Sequence, residues 1–317
     1  MIILTDTDFL IHRTLHLPEY FGMNYNNIPT GGIFGVIKAL HSTLSSTYYA
    51  RLKIAIFDGH KSSRRLKLYP EYKGNRKPKT DQEKQFDQEY FSSYQLQKTI
   101  LMHKALPLLG ILPVHFPSKE GDDVIYKVIE LNKDEDQIFL ISEDNDLLQL
   151  IHHFPNLVVY QPIKKRRVDK DNFKEVVGVV SSLFLIRKAI SGDKSDNIKG
   201  IPGIGEVTAQ KVADNLDPLK PTESLLEYAK LHKDSGSRLA KIYSNWSMIA
   251  RNLELIDISR EEFLPSDVES LKNGIKTHES RLYRDQFRDM CHEYGFNSIL
   301  KNFDSWIFPF QIDNQTP

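Results

Sequence analysis

Acidic side chains recur in this chain where short apolar runs stop. Asp6 closes Ile2-Ile3-Leu4-Thr5, and Asp58 follows Lys53-Ile54-Ala55-Ile56-Phe57. Asp144 and Asp146 come after Gln137-Ile138-Phe139-Leu140-Ile141. Glu120, Asp122 and Asp123 come shortly after Ile111-Leu112-Pro113-Val114-His115, and Asp193 and Asp196 stand in Ser191-Gly192-Asp193-Lys194-Ser195-Asp196. Taken singly, each has an ordinary use: Asp122 can cap the helix beginning at Val124, and Ser142 or Asp144 the next one. Gathered on one rim, about eight acids could not all stay ionised without a cation. Oxygen donors without cysteine or paired histidine select Mg²⁺ or Mn²⁺ over zinc. More ligands than one ion uses point to a pair of ions about 4 Å apart, an arrangement that hydrolyses phosphodiesters.

The basic residues are segregated as well. Lys61, Arg64, Arg65, Lys67, Lys73, Arg76, Lys77 and Lys79 fall within one stretch against Glu71 alone, and Lys164-Lys165-Arg166-Arg167 forms a second run. The 42 basic and 42 acidic residues cancel over the whole chain. Net neutrality usually argues against binding a polyanion, but segregation lets one region hold phosphates while another collects carboxylates. Most charge runs are merely solvated, yet this one starts three residues after Asp58.

The elements that must position these groups alternate in the first half. Apolar runs at 2–4, 53–57, 111–115, 137–141 and 157–160 read as strands, and 32–49, 81–109, 122–131 and 145–152 as helices. Strands spaced by helices predict an α/β fold with a mostly parallel sheet flanked by helices. In such a sheet ligands bind outside the carboxyl ends of the strands, where the acids fall. From about residue 172 the pattern is helical. At 317 residues, about 150 per domain suggests two domains. The expected division is 1–190, with the basic segment at about 61–95, and a helical 191–317. No stretch approaches the roughly 20 apolar residues of a membrane span. The start Met-Ile-Ile-Leu-Thr-Asp does not read as a secretion signal, and Cys291 alone allows no intrachain disulfide, which fits a cytoplasmic setting.

Asn197-Ile198-Lys199-Gly200-Ile201-Pro202-Gly203-Ile204-Gly205 is neither a dinucleotide fingerprint nor a Walker loop. It suits a tight hairpin whose free backbone N–H groups face phosphate, although an ordinary turn between helices would use the same glycines. Asp193 and Asp196 just upstream favour the phosphate reading.

Together these blocks resemble the flap endonuclease / 5′→3′ exonuclease family, most closely its bacteriophage members. The resemblance rests on Ile3-Leu4-Thr5-Asp6, Phe57-Asp58-Gly59, Tyr69-Pro70-Glu71-Tyr72-Lys73-Gly74-Asn75-Arg76, Glu120-Gly121-Asp122-Asp123, Ile141-Ser142-Glu143-Asp144-Asn145-Asp146, and the run from Ser191 through Gly205. It implies a nuclease domain with a helical arch and a helix–three-turn–helix element. It implies Asp6, Asp58, Glu120 and Asp122 for a first Mg²⁺ (or Mn²⁺), and Asp144, Asp146 and Asp193 for a second. Asp123 and Asp196 match the family's extra acids. It implies Lys73 and Arg76 as the catalytic basic pair on the scissile phosphate. Arg64, Arg65, Lys67 and Lys77 belong to an arch that holds nucleic acid. Tyr72 is placed either to stack on a terminal base or to pack on the sheet. Lys199, Gly200, Gly203 and Gly205 would hold downstream duplex, with K⁺ at the hairpin. The implied substrates are DNA with a 5′ flap or 5′ end and RNA–DNA hybrid, cut by a monomer during primer removal. Further expected partners are a single-strand-binding protein or a sliding clamp, met through the C-terminal tail, and no membrane. Two departures stand out: Thr7 replaces the family's usual glycine, followed by Asp8, and Asn145 stands where glycine is frequent. Asp8 either adds a ligand or faces solvent.

A second enzyme class, an α/β phosphatase or phosphotransferase acting on a small phosphate ester, would use Asp6-Thr7-Asp8 as an Asp-x-Asp nucleophile motif. It leaves the glycine hairpin and basic segment without a role.

Overall fold

The computed structural model describes residues 1–46, 50–75 and 81–311, with 81–86 as backbone alone. Six strands form the main sheet: β1 (Ile2–Asp6), β2 (Leu52–Phe57), β3 (Leu112–His115), β4 (Ile138–Ile141), β5 (Leu157–Gln161) and β6 (Arg166–Val168). Their order across the sheet is β3-β2-β1-β4-β5-β6. All neighbours pair parallel except β5 and β6. Registers such as Asp6↔Ile56 and Thr5↔Ile141 align the carboxyl ends of the three central strands.

Both faces of the sheet are covered, which explains why its strands read as unbroken apolar runs. Ile2 and Leu4 of β1 face one core, shared with Val124, Val128, Ile186, Ile190 and Ile249. Ile3 faces the other, shared with Leu10, Ile37, Leu101, Phe287, Phe296 and Phe310. The core therefore crosses the boundary expected near residue 190. Helices Arg284–Glu293 and Phe303–Ile307 return to the N-terminal half and close its second face.

Three local expectations differ. Helix Thr7–Leu15 was not anticipated, because Thr7, Asp8, His12 and Arg13 interrupt its apolar pattern. The basic run at 164–167 contributes the antiparallel edge strand β6. The single long helix expected over 81–109 divides into Asp81–Ile100, a wider π-turn Leu101–Ala105 and Leu106–Leu108. Pro107 lacks the N–H that a regular helix would use there. Among the described residues no helix is long and apolar enough to cross a membrane.

The glycine hairpin begins with two short antiparallel strands, Gly192–Asp193 and Ile198–Lys199. Gly192 has φ +79°, and a Cβ on Gly200 would fall 2.1 Å from the Ser191 carbonyl oxygen. Gly200 thus lets the two strands close and thereby fixes where Asp193 points.

Candidate active site

The carboxyl edge of the sheet carries the acids, centred on β1, where successive strands switch to the other side. Asp6 ends β1, and the Ser142 hydroxyl just past β4 donates to its Oδ2 at 2.7 Å. The Phe9 N–H donates to Oδ1 at 3.2 Å, so Asp6 also caps helix Thr7–Leu15. Asp58 follows β2 and accepts the Gly121 N–H at 2.5 Å. A Cβ on Gly121 would lie 2.5 Å from that same oxygen, so only glycine lets helix Gly121–Leu131, which carries Asp122, start this close. After β4, Asp144 Oδ1 accepts the Asp146 N–H at 2.7 Å.

Electrostatics joins these residues into one cluster. Burial, with repulsion from Asp58 and Asp144, pushes the Asp6 carboxyl up to about 8. Burial and then the charges of Asp144, Asp6 and Asp58 raise Asp122 well above the carboxylate range, although Lys73 works against this. Asp58 is raised by burial and by Asp8. Three acids at strand ends and Asp122 in the first turn of a helix therefore share one field that the chain's own cations leave undercompensated. A donor set made only of carboxylate oxygens under such repulsion fits a divalent cation. Among the described residues, no group of three or more His, Cys, Asp or Glu side chains already stands in ligating geometry. Two lysines hold part of the set instead.

Lys73 Nζ lies 2.9 Å from Glu120 and 3.9 Å from Asp196, and 5.1 Å from the centre of the Tyr72 ring. Its backbone is left-handed (φ +52°), an unfavourable conformation for a side chain of this size. Its N–H donates to the Asp196 carbonyl at 2.9 Å, and its own carbonyl accepts from Lys61 Nζ at 2.9 Å. Burial alone would raise Glu120, but Lys73 and Arg65 outweigh it and hold Glu120 below its ordinary value. Lys188, on helix Phe184–Ser191, pairs with both Asp146 and, at 2.7 Å, Asp193. Against the upward push of burial, Lys188 holds Asp193 well below the carboxylate range, while Asp146 stays raised to about 7. Lys188 was not anticipated from sequence; it is one lysine in an amphipathic helix five residues before Asp193.

Several assignments are corrected by burial. Asp123 is fully buried and spends both oxygens on Arg65, at 2.7 and 2.9 Å, so it is an ion-pair partner rather than a metal ligand. Arg65 is 3% exposed and also donates to the Leu255 carbonyl at 2.9 Å, so it does not face nucleic acid. Tyr72 is 3% exposed, with its hydroxyl 2.9 Å from a Glu120 oxygen and 3.1 Å from an Asp196 oxygen, so it orients ligand candidates and offers no face to a base. Asp8 is buried rather than solvent-facing. Arg64 is turned to the helical half, 3.3 Å from Glu261 and 2.8 Å from the Glu254 carbonyl. Lys67 and Lys199 are exposed, as a phosphate-binding role requires, with Lys199 3.3 Å from Glu71. Gly203 is left-handed (φ +84°), and Gly205 precedes helix Glu206–Ala213 with open space around it. Arg76 and Lys77 lie outside the described residues, as does the tail beyond residue 311.

Arg65→Ala is expected to destabilise the fold by at least about 3 kcal/mol in urea unfolding, because it strands Asp123 as a buried charge, whereas Glu120 keeps Lys73. A loss below about 1 kcal/mol would show that Asp123 finds another partner.

The profile of the family described as 5′-3′ exonuclease, N-terminal resolvase-like domain, matches residues 1–178. A 5′-3′ exonuclease of Bacillus subtilis is 32% identical over 212 residues, covering 65% of this chain and 67% of that protein. DNA polymerase I of Caldicellulosiruptor bescii is 31% identical over 311 residues; the match takes in 95% of this chain but only 33% of the polymerase. The T5 5′-exonuclease, solved with divalent zinc ions bound, superposes with TM-score 0.69 at 21% identity, over 88% of this chain and 99% of that one.

Proposed function

This chain belongs to the 5′-3′ exonuclease family, and from that premise we propose that it hydrolyses phosphodiester bonds at 5′ ends or flaps of DNA and of RNA primers, with Mg²⁺ bound at the acidic edge. The observation that carries this reading is the shared field of Asp6, Asp58, Asp122 and Asp144 beside Lys73. Asp6, Asp58, Glu120 and Asp122 would hold one ion, and Asp144, Asp146 and Asp193 a second. When bound, such ions supply a hydroxide nucleophile at neutral pH and charge stabilisation for the leaving oxygen.

The chain's own groups do the rest. Tyr72 and Ser62, whose N–H donates to Glu120 Oε1 at 3.0 Å, keep Glu120 aimed at the cleft. Lys73, fixed by its strained backbone, can leave Glu120 for a phosphoryl oxygen where charge develops. Exposed Lys67 and Lys199 would hold the backbone of the substrate without reading its sequence. Primer removal is the setting proposed for this activity, by analogy with the polymerase that contains a matching segment. K⁺ at the hairpin, and contact with a clamp or single-strand-binding protein, are further proposals of the same reading. The small-ester alternative loses its second acid, since Asp8 is 2% exposed and bound to Lys98.

The test is incubation of 5′-labelled flap, nicked and RNA-primed duplexes with the protein in Mg²⁺, reading product lengths. Short 5′ products at the junction are expected; hydrolysis of a small phosphate ester with intact DNA would overturn the reading. Lys73→Ala should lower turnover by at least about tenfold with duplex affinity little changed. Lost affinity with intact single-turnover cleavage would make Lys73 a backbone contact only.

A further inference from the structure

Asp8 is an acid that the ion sites do not use. It lies two residues past Asp6 and is 2% exposed. Its Oδ2 accepts the backbone N–H of Asp58 at 2.5 Å. Lys98 Nζ stands 3.1 Å from its Oδ1, to which the Tyr94 hydroxyl also donates. Lys98 in turn donates to the Asp58 carbonyl at 2.6 Å. Both backbone polar groups of Asp58 therefore end on one buried ion pair. The Asp58 side chain is aimed separately, by the Gly121 N–H.

The two halves of the pair come from different elements. Asp8 belongs to helix Thr7–Leu15, while Tyr94 and Lys98 sit one turn apart on helix Asp81–Ile100, which follows the run of basic residues at 61–79. Gln97 of the same helix accepts the N–H groups of Gly32 at 2.6 Å and Ile33 at 3.2 Å, and so fastens it to helix Gly31–Leu44. Apolar side chains could pack these helices together without the cost of burying two charges. They would offer neither an acceptor for the Asp58 N–H nor a donor for its carbonyl.

We propose that the Asp8–Lys98 pair is a positioning device that sets the place of the Asp58 carboxylate and couples it to helix Asp81–Ile100. The proposal rests on the reading of Asp58 as an ion ligand. Groups that orient a ligand from behind change ion affinity by about 10- to 100-fold.

The test titrates Ca²⁺ calorimetrically into the full chain and into Lys98→Met, Lys98→Arg and the double variant Asp8→Asn/Lys98→Met. Lys98→Met is expected to bind at least about tenfold more weakly, and Lys98→Arg to recover most of the loss. Because Lys98→Met leaves the buried Asp8 without a counter-charge and can unfold for that reason alone, the double variant decides the matter. It buries no charge, so it should fold and still bind at least about tenfold more weakly, the Asp58 carbonyl having lost its donor. A folded double variant that binds Ca²⁺ like the wild type would overturn the proposal. So would a double variant that does not fold, since the pair would then serve the fold rather than Asp58. Wild-type protein that takes up no Ca²⁺ would contradict the ion reading itself.

Discussion

Asp58→Asn combined with Asp122→Asn is expected to lower flap cleavage by at least about a thousandfold, because a bound ion contributes several kcal/mol of transition-state charge stabilisation, and about 4 kcal/mol is a thousandfold in rate. The substitution keeps shape and removes charge. Asn can still accept the Gly121 N–H that Asp58 accepts at 2.5 Å. Both acids are raised by burial and by neighbouring carboxylates, so removing their charge relieves repulsion in the ion-free protein. The variant should therefore melt no lower than the wild type without divalent ions, and bind flap DNA with little change in affinity. Gel-based cleavage and melting measured together check this. A folded double variant that cleaves within about tenfold of wild type would remove Asp58 and Asp122 from the ion sites.

In the ion-free protein, stability should fall as pH rises from 6.5 to 7.5, where Asp6 and the other raised acids hold protons that the unfolded chain has released. The unfolded chain releases the Asp6 proton near 3.8 and the folded chain near 8, so between these values the folded form holds the extra proton and each step upward in pH favours unfolding. Asp146, raised to about 7, acts in the same direction. Two kinds of group oppose this: His41, His115 and His152, lowered by burial, whose unfolded forms are still losing protons as pH passes 6.5, and Lys53, lowered by burial to about 8, whose opposing effect grows as pH nears 8. Glu120 and Asp193, both lowered, titrate below this window. Asp6→Asn should raise the ion-free melting temperature at pH 8 by roughly 3 °C or more and flatten the slope. Adding Ca²⁺ should flatten it in the wild type, since an ion that binds only the folded form stabilises by mass action. A wild type whose ion-free stability is level from 6.5 to 7.5 would contradict the Asp6 assignment.

The sheet was legible because its central strands are buried on both faces and so read as apolar runs of strand length. Their acids were legible because a parallel sheet puts every strand's carboxyl end on one edge. Side chains that turn inward from polar segments were not. Arg65 and Lys67 are two residues apart in one basic run, yet the first is buried on Asp123 and the second is exposed. That difference is set by the position of Asp123 and by the Leu255 carbonyl, both remote in sequence. Tyr72 could be assigned to base stacking or to packing on the sheet until Glu120 and Asp196 were seen to converge on its hydroxyl. Lys98 and Lys188 are single cations on helices, and nothing local distinguishes them from surface lysines. Lys98 is explained only once Asp8 is seen to be buried, since an acid buried beside Asp6 needs a counter-charge, and Lys98 supplies it.

The central claim is that divalent cations gather the carboxylates of the sheet edge. It is tested most directly by crystals grown in Mn²⁺, with data collected at the manganese edge. The account predicts anomalous density within about 2.4 Å of oxygens from Asp6, Asp58 and Asp122, with Lys73 released from Glu120 and Lys188 from Asp146. Crystals in which both lysines keep their carboxylates, and no anomalous density lies among these acids, would contradict it.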